Sequence, residues 1–328
     1  MYAYFRQAVL GIDISKGWFD VCLLTPTSAR FAQFDNDQRG FAALGDWLEP
    51  QLTGAATALQ ACLEATGRYG DELAHWLHEH GHRVSIVNPA RVKYYASSSG
   101  ARHKSDRGDA FLIAHFCLHN DLMAWQPLDE VRQALRAISR QRAALVGMRN
   151  QENNRLQAGK LPDTVQTAIK AHLAFIETMI AELDQQGQRL IDEHGDLSAQ
   201  QQLLTTIQGI GQQTARTLLA EMPPLAALAS ARSLAAFAGL NPRREESGKG
   251  RPYTRLSKAG NAAIRKALYF PAMTAMRHNP PLKAFAERLT ERGLAPQQIV
   301  AAVMRKLLHY VYGVLKHRQP FDPNYLPC

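Results

Sequence analysis

The hydrophobic pattern of this 328-residue chain changes its period once, near Pro127, and that change limits the folds open to it. Before it, apolar residues come in short β-branched runs. Val9-Leu-Gly-Ile-Asp-Ile-Ser15 and Trp18-Phe-Asp-Val-Cys-Leu-Leu24, separated by Lys16-Gly17, predict a hairpin that opens a sheet. Helical spacing at Phe41, Leu44, Trp47 and Leu48 predicts a helix within residues 40–52. A strand over 58–64, a helix over 71–80, a strand over 83–89 and a helix from about Ser105 to His119 follow. Strands first, then strand and helix alternating, predict an α/β sheet domain over residues 1–125.

Beyond that point the period is helical. Leu128, Val131, Leu135, Ile138, Leu145 and Met148 keep it, as do Ile169, Leu173, Ile176, Ile180, Leu183 and Ile191, with a break at Gly159–Pro162. Two long helices are expected over residues 126–202, forming an antiparallel, coiled-coil-like arm, with a solvated helical linker as the plainer alternative. Residues 203–328 read as a mainly helical domain. Its first element, Leu203–Ile207, meets a Gly209-Ile210-Gly211 turn and a further helix, in the manner of a helix-hairpin-helix.

Charge separates along the same lines. Residues 199–328 hold 18 Lys/Arg against 6 Asp/Glu, whereas residues 1–198 hold 20 against 23. The net +9 therefore comes wholly from the last two-fifths. Arg243, Arg244, Lys249, Arg251, Arg255, Lys258, Arg265 and Lys266 concentrate it in one stretch, broken by Gly248, Gly250, Pro252 and Gly260. Such a field attracts a polyanion, and phosphate contact is expected there; a solvated basic face is the bland reading. Gly209 and Gly211 join these candidates, since a glycine turn before a helix N-terminus lets backbone N–H groups approach a phosphate.

No stretch approaches the ~18 apolar residues of a membrane span. The first residues do not read as a signal peptide. Cys22, Cys62, Cys117 and Cys328 lack paired spacing. A cytoplasmic protein without membrane partners is expected. The histidines give no ligand spacing, and His75, His78, His80 and His82 read as surface.

Four carboxylates stand out by position. Asp13 lies inside an apolar strand, Glu64 ends another, and Asp106 and Asp109 share one helix face at i, i+3. Hard cations such as Mg²⁺ take oxygen ligands and fill remaining positions with water or phosphate. Two such ions ~4 Å apart stabilise attacking and leaving oxygens in phosphoryl displacement. Ordinary roles stay open: Asp13 bonding a turn, Glu64 pairing with Arg68, Asp106 capping its helix, Asp109 pairing with Arg102 or Arg107. By pattern alone Ser247, in Pro242-Arg-Arg-Glu-Glu-Ser-Gly-Lys-Gly-Arg251, is a loop serine among cations without an evident base.

Eight motifs occur in a fixed order: Gly11-Ile-Asp-Ile-Ser-Lys16, Leu63-Glu-Ala-Thr-Gly67, Val87-Asn-Pro-Ala90, Lys104-Ser-Asp-Arg-Gly-Asp-Ala110, Gly209-Ile-Gly211, Phe237-Ala-Gly-Leu-Asn-Pro-Arg243, Glu246-Ser-Gly248 and Ser257-Lys-Ala-Gly260. The series resembles the DEDD transposases of the insertion-sequence 110 family, relatives of the Piv-type DNA invertases. The resemblance implies an RNase H-like (RuvC-like) first domain whose acids, Asp13, Glu64, Asp106 and Asp109, bind Mg²⁺, with Mn²⁺ as an alternative. It further implies a coiled coil leading to a transposase domain with Ser247 as nucleophile, acting through a phosphoserine intermediate without ATP. Donor and target DNA, a structured non-coding guide RNA and further copies of the chain, as dimer or tetramer, are the implied partners. Two departures are visible: Ser105 replaces an expected threonine, and Gly108, a poor helix former, separates the two aspartates. A metal-only nuclease of the junction-resolvase type and a non-catalytic DNA-binding protein are the rival readings.

Overall fold

The computed structural model describes residues 8–52, 59–65, 67, 69–99, 106–245 and 253–324. Of residues 98–99, 106–107, 243–245 and 253–255 it describes the backbone. The chain forms two compact units, residues 1–127 and 128–328.

The first unit is built on five strands: β1 (Val9–Ile14), β2 (Trp18–Leu24), β3 (Ala29–Asp35), β4 (Gln60–Glu64) and β5 (Arg83–Val87). Their order is β3-β2-β1-β4-β5. β1 pairs antiparallel with β2 and parallel with β4, so it is the central strand. Its residues alternate between two buried faces, as period-two geometry requires. Leu10 and Ile12 join Phe19, Val21 and Leu23 of β2 on one face. They pack there on Phe41 and Leu44 of α1 (Gln38–Leu48) and on Leu73 and Leu77 of α2 (Asp71–Glu79). Val9, Cys22 and Cys62 face the other way, onto Val92 of α3 (Pro89–Ser99) and Ala110, Ile113, Ala114 and Cys117 of α4 (Asp106–His119). Each side chain of this size contributes roughly 1.5–3 kcal/mol when fully buried. This mixed sheet with helices on both faces is consistent with the expected RNase H-like architecture.

Strand β3 and helix α3 were not legible from the pattern. β3 is an edge strand exposed along most of its length, so only Ala32 and Phe34 touch the core. His82 corrects the surface reading of its cluster. It is buried, accepts a long 3.5 Å hydrogen bond from the Leu59 N–H at Nδ1, and its pKa is lowered by burial and by His80. His80 stacks on Trp76, while His75 and His78 meet Trp125 edge-on.

In the second unit α5 (Glu130–Gln157) and α6 (Asp163–Asp192) lie antiparallel, joined by five residues. Leu145 packs with Ile176 and Ile180, Arg142 pairs with Asp184 at 2.7 Å, and Glu152 meets His172 at 3.2 Å. The remaining helices are α7 (Gly195–Thr205), α8 (Gln212–Glu221), α9 (Ala231–Phe237), α10 (Ala262–His278), α11 (Pro280–Glu291) and α12 (Pro296–His317). α12 is the spine: Val303, Leu307, Leu308 and Val311 are fully buried, and α7, α9, α10 and α11 pack around it. A short antiparallel pair, β6 (Pro242–Glu245) and β7 (Tyr253–Leu256), interrupts the helices. Among the described residues no helix is long and apolar enough to cross a membrane.

An ion pair with a buried carboxylate ties these helices together. Glu221 on α8 accepts two bonds from the Arg140 guanidinium of α5, at 2.7 and 2.9 Å. It accepts a third from Asn261 Nδ2 at 2.8 Å. Asn261 also caps α10, its Oδ1 accepting from Ala263 and Ile264. Burial alone would raise the Glu221 carboxyl, but the Arg140 and Asn261 bonds and the Arg140 and Arg136 charges together hold it below the usual carboxylate range.

Candidate functional site

The acidic corner of the first unit follows from strand register. Ile12 pairs with Leu63 across the parallel β1–β4 ladder, so Asp13 and Glu64, one residue on, are neighbours at the same end of adjacent strands. Gly11 and Cys62 pair in that ladder two residues earlier, which puts Asp13 and Glu64 on the face that α4 covers. Asp109 lies in the first turn of α4, and Asp106 is its first residue. A carboxylate at a helix N-terminus is favoured by the helix dipole. The Asp106 side chain lies outside the described residues.

Gly11 brings helix and sheet together. A Cβ there would stand 2.2 Å from the Ala114 nitrogen and 2.3 Å from the Ala110 oxygen. Both are backbone atoms of α4, so the helix lies directly on β1, and Asp109, the neighbour of Ala110, is carried toward the strand ends. The consequence is electrostatic. Burial raises the Glu64 pKa, and the charges of Asp13 and Asp109 raise it further. Three half-buried acids thus repel one another at one corner, with Asp106 heading the same helix turn.

Their donor chemistry, hard carboxylate oxygens in mutual repulsion, suits a hard divalent cation. As placed, no three His, Cys, Asp or Glu side chains among the described residues close around a single ion. Two residues at this corner escaped the sequence reading. Asp20 pairs with Asp13 across β1–β2, is buried, and accepts from Gln33 Nε2 at 3.1 and 3.2 Å. Its signal was a second aspartate inside an apolar strand. Asn36 donates from Nδ2 to the carbonyls of Ser15 and Tyr69, at 3.1 and 2.9 Å. It thereby clamps the chain leaving β1 to the chain leaving β4, and nothing in its local sequence announces that.

The basic stretch divides into three kinds of residue. Ser247, Lys249 and Arg251 lie outside the described residues. Arg243, Arg244 and Arg255 belong to the β6–β7 pair, Arg243 opposite Arg255, and their side chains are outside the description. The base of that pair is locked by backbone bonds. Ser257 N–H donates to Asn241, Lys258 N–H to Gly239 and Asn261 N–H to Phe237, at 2.9, 3.1 and 2.8 Å. Two of the ordered motifs, 237–243 and 257–260, therefore form one interlocked junction. Arg265 belongs to this lock: its Nη1 donates to the Ala238 and Gly260 carbonyls, each at 2.9 Å. That nitrogen has a structural role. Lys258 and Lys266 are exposed.

The two turn glycines also part company. Gly209 has φ +107°, and a Cβ there would lie 2.8 Å from the Pro271 oxygen of α10. The missing Cβ lets α10 pack closely against the turn. Gly211 caps α8 with open space around it.

An α/β unit with an acidic corner, followed by a basic helical unit, suits a protein that acts on nucleic acid, and comparison with known proteins gives its family. A transposase profile of the DEDD IS110 type matches residues 10–163. A profile of the transposase IS116/IS110/IS902 family matches residues 201–287. The chain is 35% identical to the pilin gene-inverting protein of Moraxella lacunata and 34% to that of Moraxella bovis, over 96% of this chain and 98% of each relative. It is 24% identical to the transposase for insertion sequence element IS1111A of Coxiella burnetii, over 82% of this chain and 78% of that protein. The chain belongs to the IS110 family of DEDD transposases, and it is an enzyme of DNA transposition and recombination.

Proposed function

We propose that the chain is a Mg²⁺-dependent, RNA-guided DNA recombinase in which Asp13, Glu64, Asp106 and Asp109 form the metal-binding acids and Ser247 is the nucleophile. The observation that carries the first half is the repulsion of Glu64 by Asp13, its neighbour across the β1–β4 register, and by Asp109 of α4. Carboxylates held together against repulsion are stabilised by a cation, and a bound divalent ion supplies positive charge for the oxygens of a reacting phosphate.

Ser247 lies in the seven residues between Glu245 and Tyr253, whose backbones pair in register. This strand pair and its locked base hold the two ends of that segment beside each other. In the proposed reaction the Ser247 Oγ attacks a DNA phosphorus, the Oγ–P bond forms and the strand's P–O bond breaks. The serine proton is lost to water, and the DNA oxygen leaves as a hydroxyl after taking up a proton. A hydroxyl from the exchanged strand then attacks the phosphoserine, the new P–O bond forms and Oγ departs with a proton. The phosphoester bond is conserved at each step, so ATP is not needed.

The DNA substrates follow from family membership, and the inversion for which the Moraxella relatives are named is one outcome of such strand exchange. Guide RNA, homo-oligomerisation and a location where the chromosome is accessible, the cytoplasm, complete the proposal. The excess positive charge of residues 199–328 supports nucleic-acid contact.

The test is strand cleavage with donor and target DNA, the RNA of the cognate element and titrated Mg²⁺. Asp13→Asn, Glu64→Gln and Asp109→Asn should each lower the rate at least a hundredfold while leaving the fold intact by circular dichroism. Cleavage at wild-type rate in any two of them would remove the acidic corner from the chemistry.

A further inference from the structure

Helix α10 carries an exposed face that neither the acidic corner nor the Ser247 loop uses. Its positions 266, 269, 270, 273 and 277 follow helical spacing and are occupied by Lys266, Tyr269, Phe270, Met273 and Arg277. The opposite face, Ile264, Leu268, Ala272 and Ala275, is buried in the core of the second unit. Phe270 is 73% exposed, Tyr269 43% and Met273 37%. Phe270 has the highest exposure of any large apolar side chain among the described residues. Its ring meets that of Tyr269 edge-on, with centroids 5.5 Å apart. Exposing flat apolar rings side by side forgoes the stabilisation their burial would give, so a ligand that covers them is expected.

Charge selects the ligand. A cation closes each end of the patch, and α10 contains no acidic residue. The chain enters α10 directly from the basic β6–β7 pair, with five residues between Leu256 and Ala262. An apolar protein surface would not call for cations at both ends of the rings. Nucleic acid does, because its unstacked bases offer π-faces while its phosphates run alongside at both ends.

We infer that the Lys266–Arg277 face of α10 is a stacking platform for unpaired bases, with Phe270 and Tyr269 receiving bases and Lys266 and Arg277 holding flanking phosphates. The inference rests on the reading of this chain as a nucleic-acid recombinase, whose strand exchange exposes unpaired bases. It deepens that reading by assigning where they are held.

The experiment measures equilibrium binding of the full-length chain, without Mg²⁺ and therefore without chemistry. The probes are a ~20-nucleotide DNA single strand and the blunt duplex of the same sequence. Phe270→Ala and Phe270→Leu should each weaken single-strand binding roughly tenfold or more, with duplex binding within about twofold of wild type. Phe270→Trp should bind as wild type, and its fluorescence change should be larger with the single strand than with the duplex. Lys266→Ala and Arg277→Ala should each lower the salt slope of single-strand binding by about 0.7, which Phe270→Ala should leave unchanged.

Wild-type single-strand affinity in both Phe270→Ala and Phe270→Leu, with native circular dichroism, overturns the inference. So does retention in Phe270→Leu alone, since an apolar contact would then suffice without a ring. A fall in oligomeric mass on Phe270→Ala without loss of single-strand binding assigns the face to a second copy instead, and also overturns it. Because no step needs the acids or Ser247, failure of the proposed chemistry leaves these results readable, and the reverse holds as well.

Discussion

Replacing Gly11 by alanine should damage the acidic corner without touching an acid. The added methyl would stand 2.2 Å from Ala114 N, 2.3 Å from Ala110 O and 2.7 Å from Ala114 Cα. Ordinary van der Waals contact begins near 3.4 Å, so α4 has to retreat by about an ångström. None of the three atoms is the end of a flexible side chain, so no rotamer change relieves the clash. Overpacking of this kind costs roughly 1–3 kcal/mol, which lowers the melting temperature of the first unit by several degrees. The retreat also draws Asp109 away from Asp13 and Glu64. A ~1 Å misplacement of reacting groups costs on the order of a hundredfold in rate. The assay pairs thermal unfolding with Mg²⁺-dependent DNA cleavage, and Gly17→Ala is the control, because a Cβ at Gly17 meets nothing within 4 Å. Gly11→Ala should lose both stability and nearly all cleavage, and Gly17→Ala neither. If Gly11→Ala keeps its melting temperature and activity, the close seating of α4 on β1 does not set the geometry of the corner.

Three further outcomes follow from the same electrostatics. Glu64 has a raised pKa in the folded, metal-free protein, so its contribution is favourable below the unfolded carboxylate value and is lost as pH rises through the folded value. Glu64→Gln should therefore raise the metal-free melting temperature at pH 7–8, by a margin that shrinks on acidification, and should abolish stabilisation by added Mg²⁺. Glu221 has the opposite sign: held low by Arg140 and Asn261, its contribution is present above the unfolded value and is lost as pH falls through the folded one. Glu221→Ala removes three hydrogen bonds from a side chain only 1% exposed and leaves Arg140, itself half exposed, within reach of water, so it should cost roughly 1–3 kcal/mol in chemical denaturation at pH 7. Asn36→Ala frees two carbonyls and should slow cleavage more than it lowers stability, read by comparing the rate with the denaturation midpoint.

What the sequence revealed depended on where the physical signal was local. β1 and β4 announced themselves because both faces of a central strand are buried, giving dense apolar runs with one acid apiece out of place. The period of α5 and α6 was equally plain, as was the break between them. β3 and α3 were silent: an exposed edge strand has no apolar run, and among the described side chains of α3 Val92 alone is in the buried core. Register was out of reach as well. That Asp13 stands beside both Glu64 and Asp20 is a statement about pairing across the sheet, which no local pattern encodes. Gly11 looked like a motif residue, and only the packing of α4 explains it. Charge and turn chemistry single out Arg265 and Gly209, but not the carbonyls and the helix backbone that they also meet. Phe270 would have been counted into a helix core on residue type, and its exposure is visible only once α10 is seated.

Whether Ser247 attacks DNA, in a reaction that also requires Asp13, decides between a serine recombinase and a metal-dependent nuclease. Serine attack is tested most directly by trapping a covalent protein–DNA adduct on denaturing gels. Wild type, Ser247→Ala and Asp13→Asn would be incubated with labelled donor and target DNA, the cognate element RNA and Mg²⁺. A labelled adduct should form with wild-type protein alone and map to the peptide that contains Ser247. Strand cleavage that persists in Ser247→Ala, with no adduct in any sample, would contradict serine attack and leave a metal-dependent nuclease.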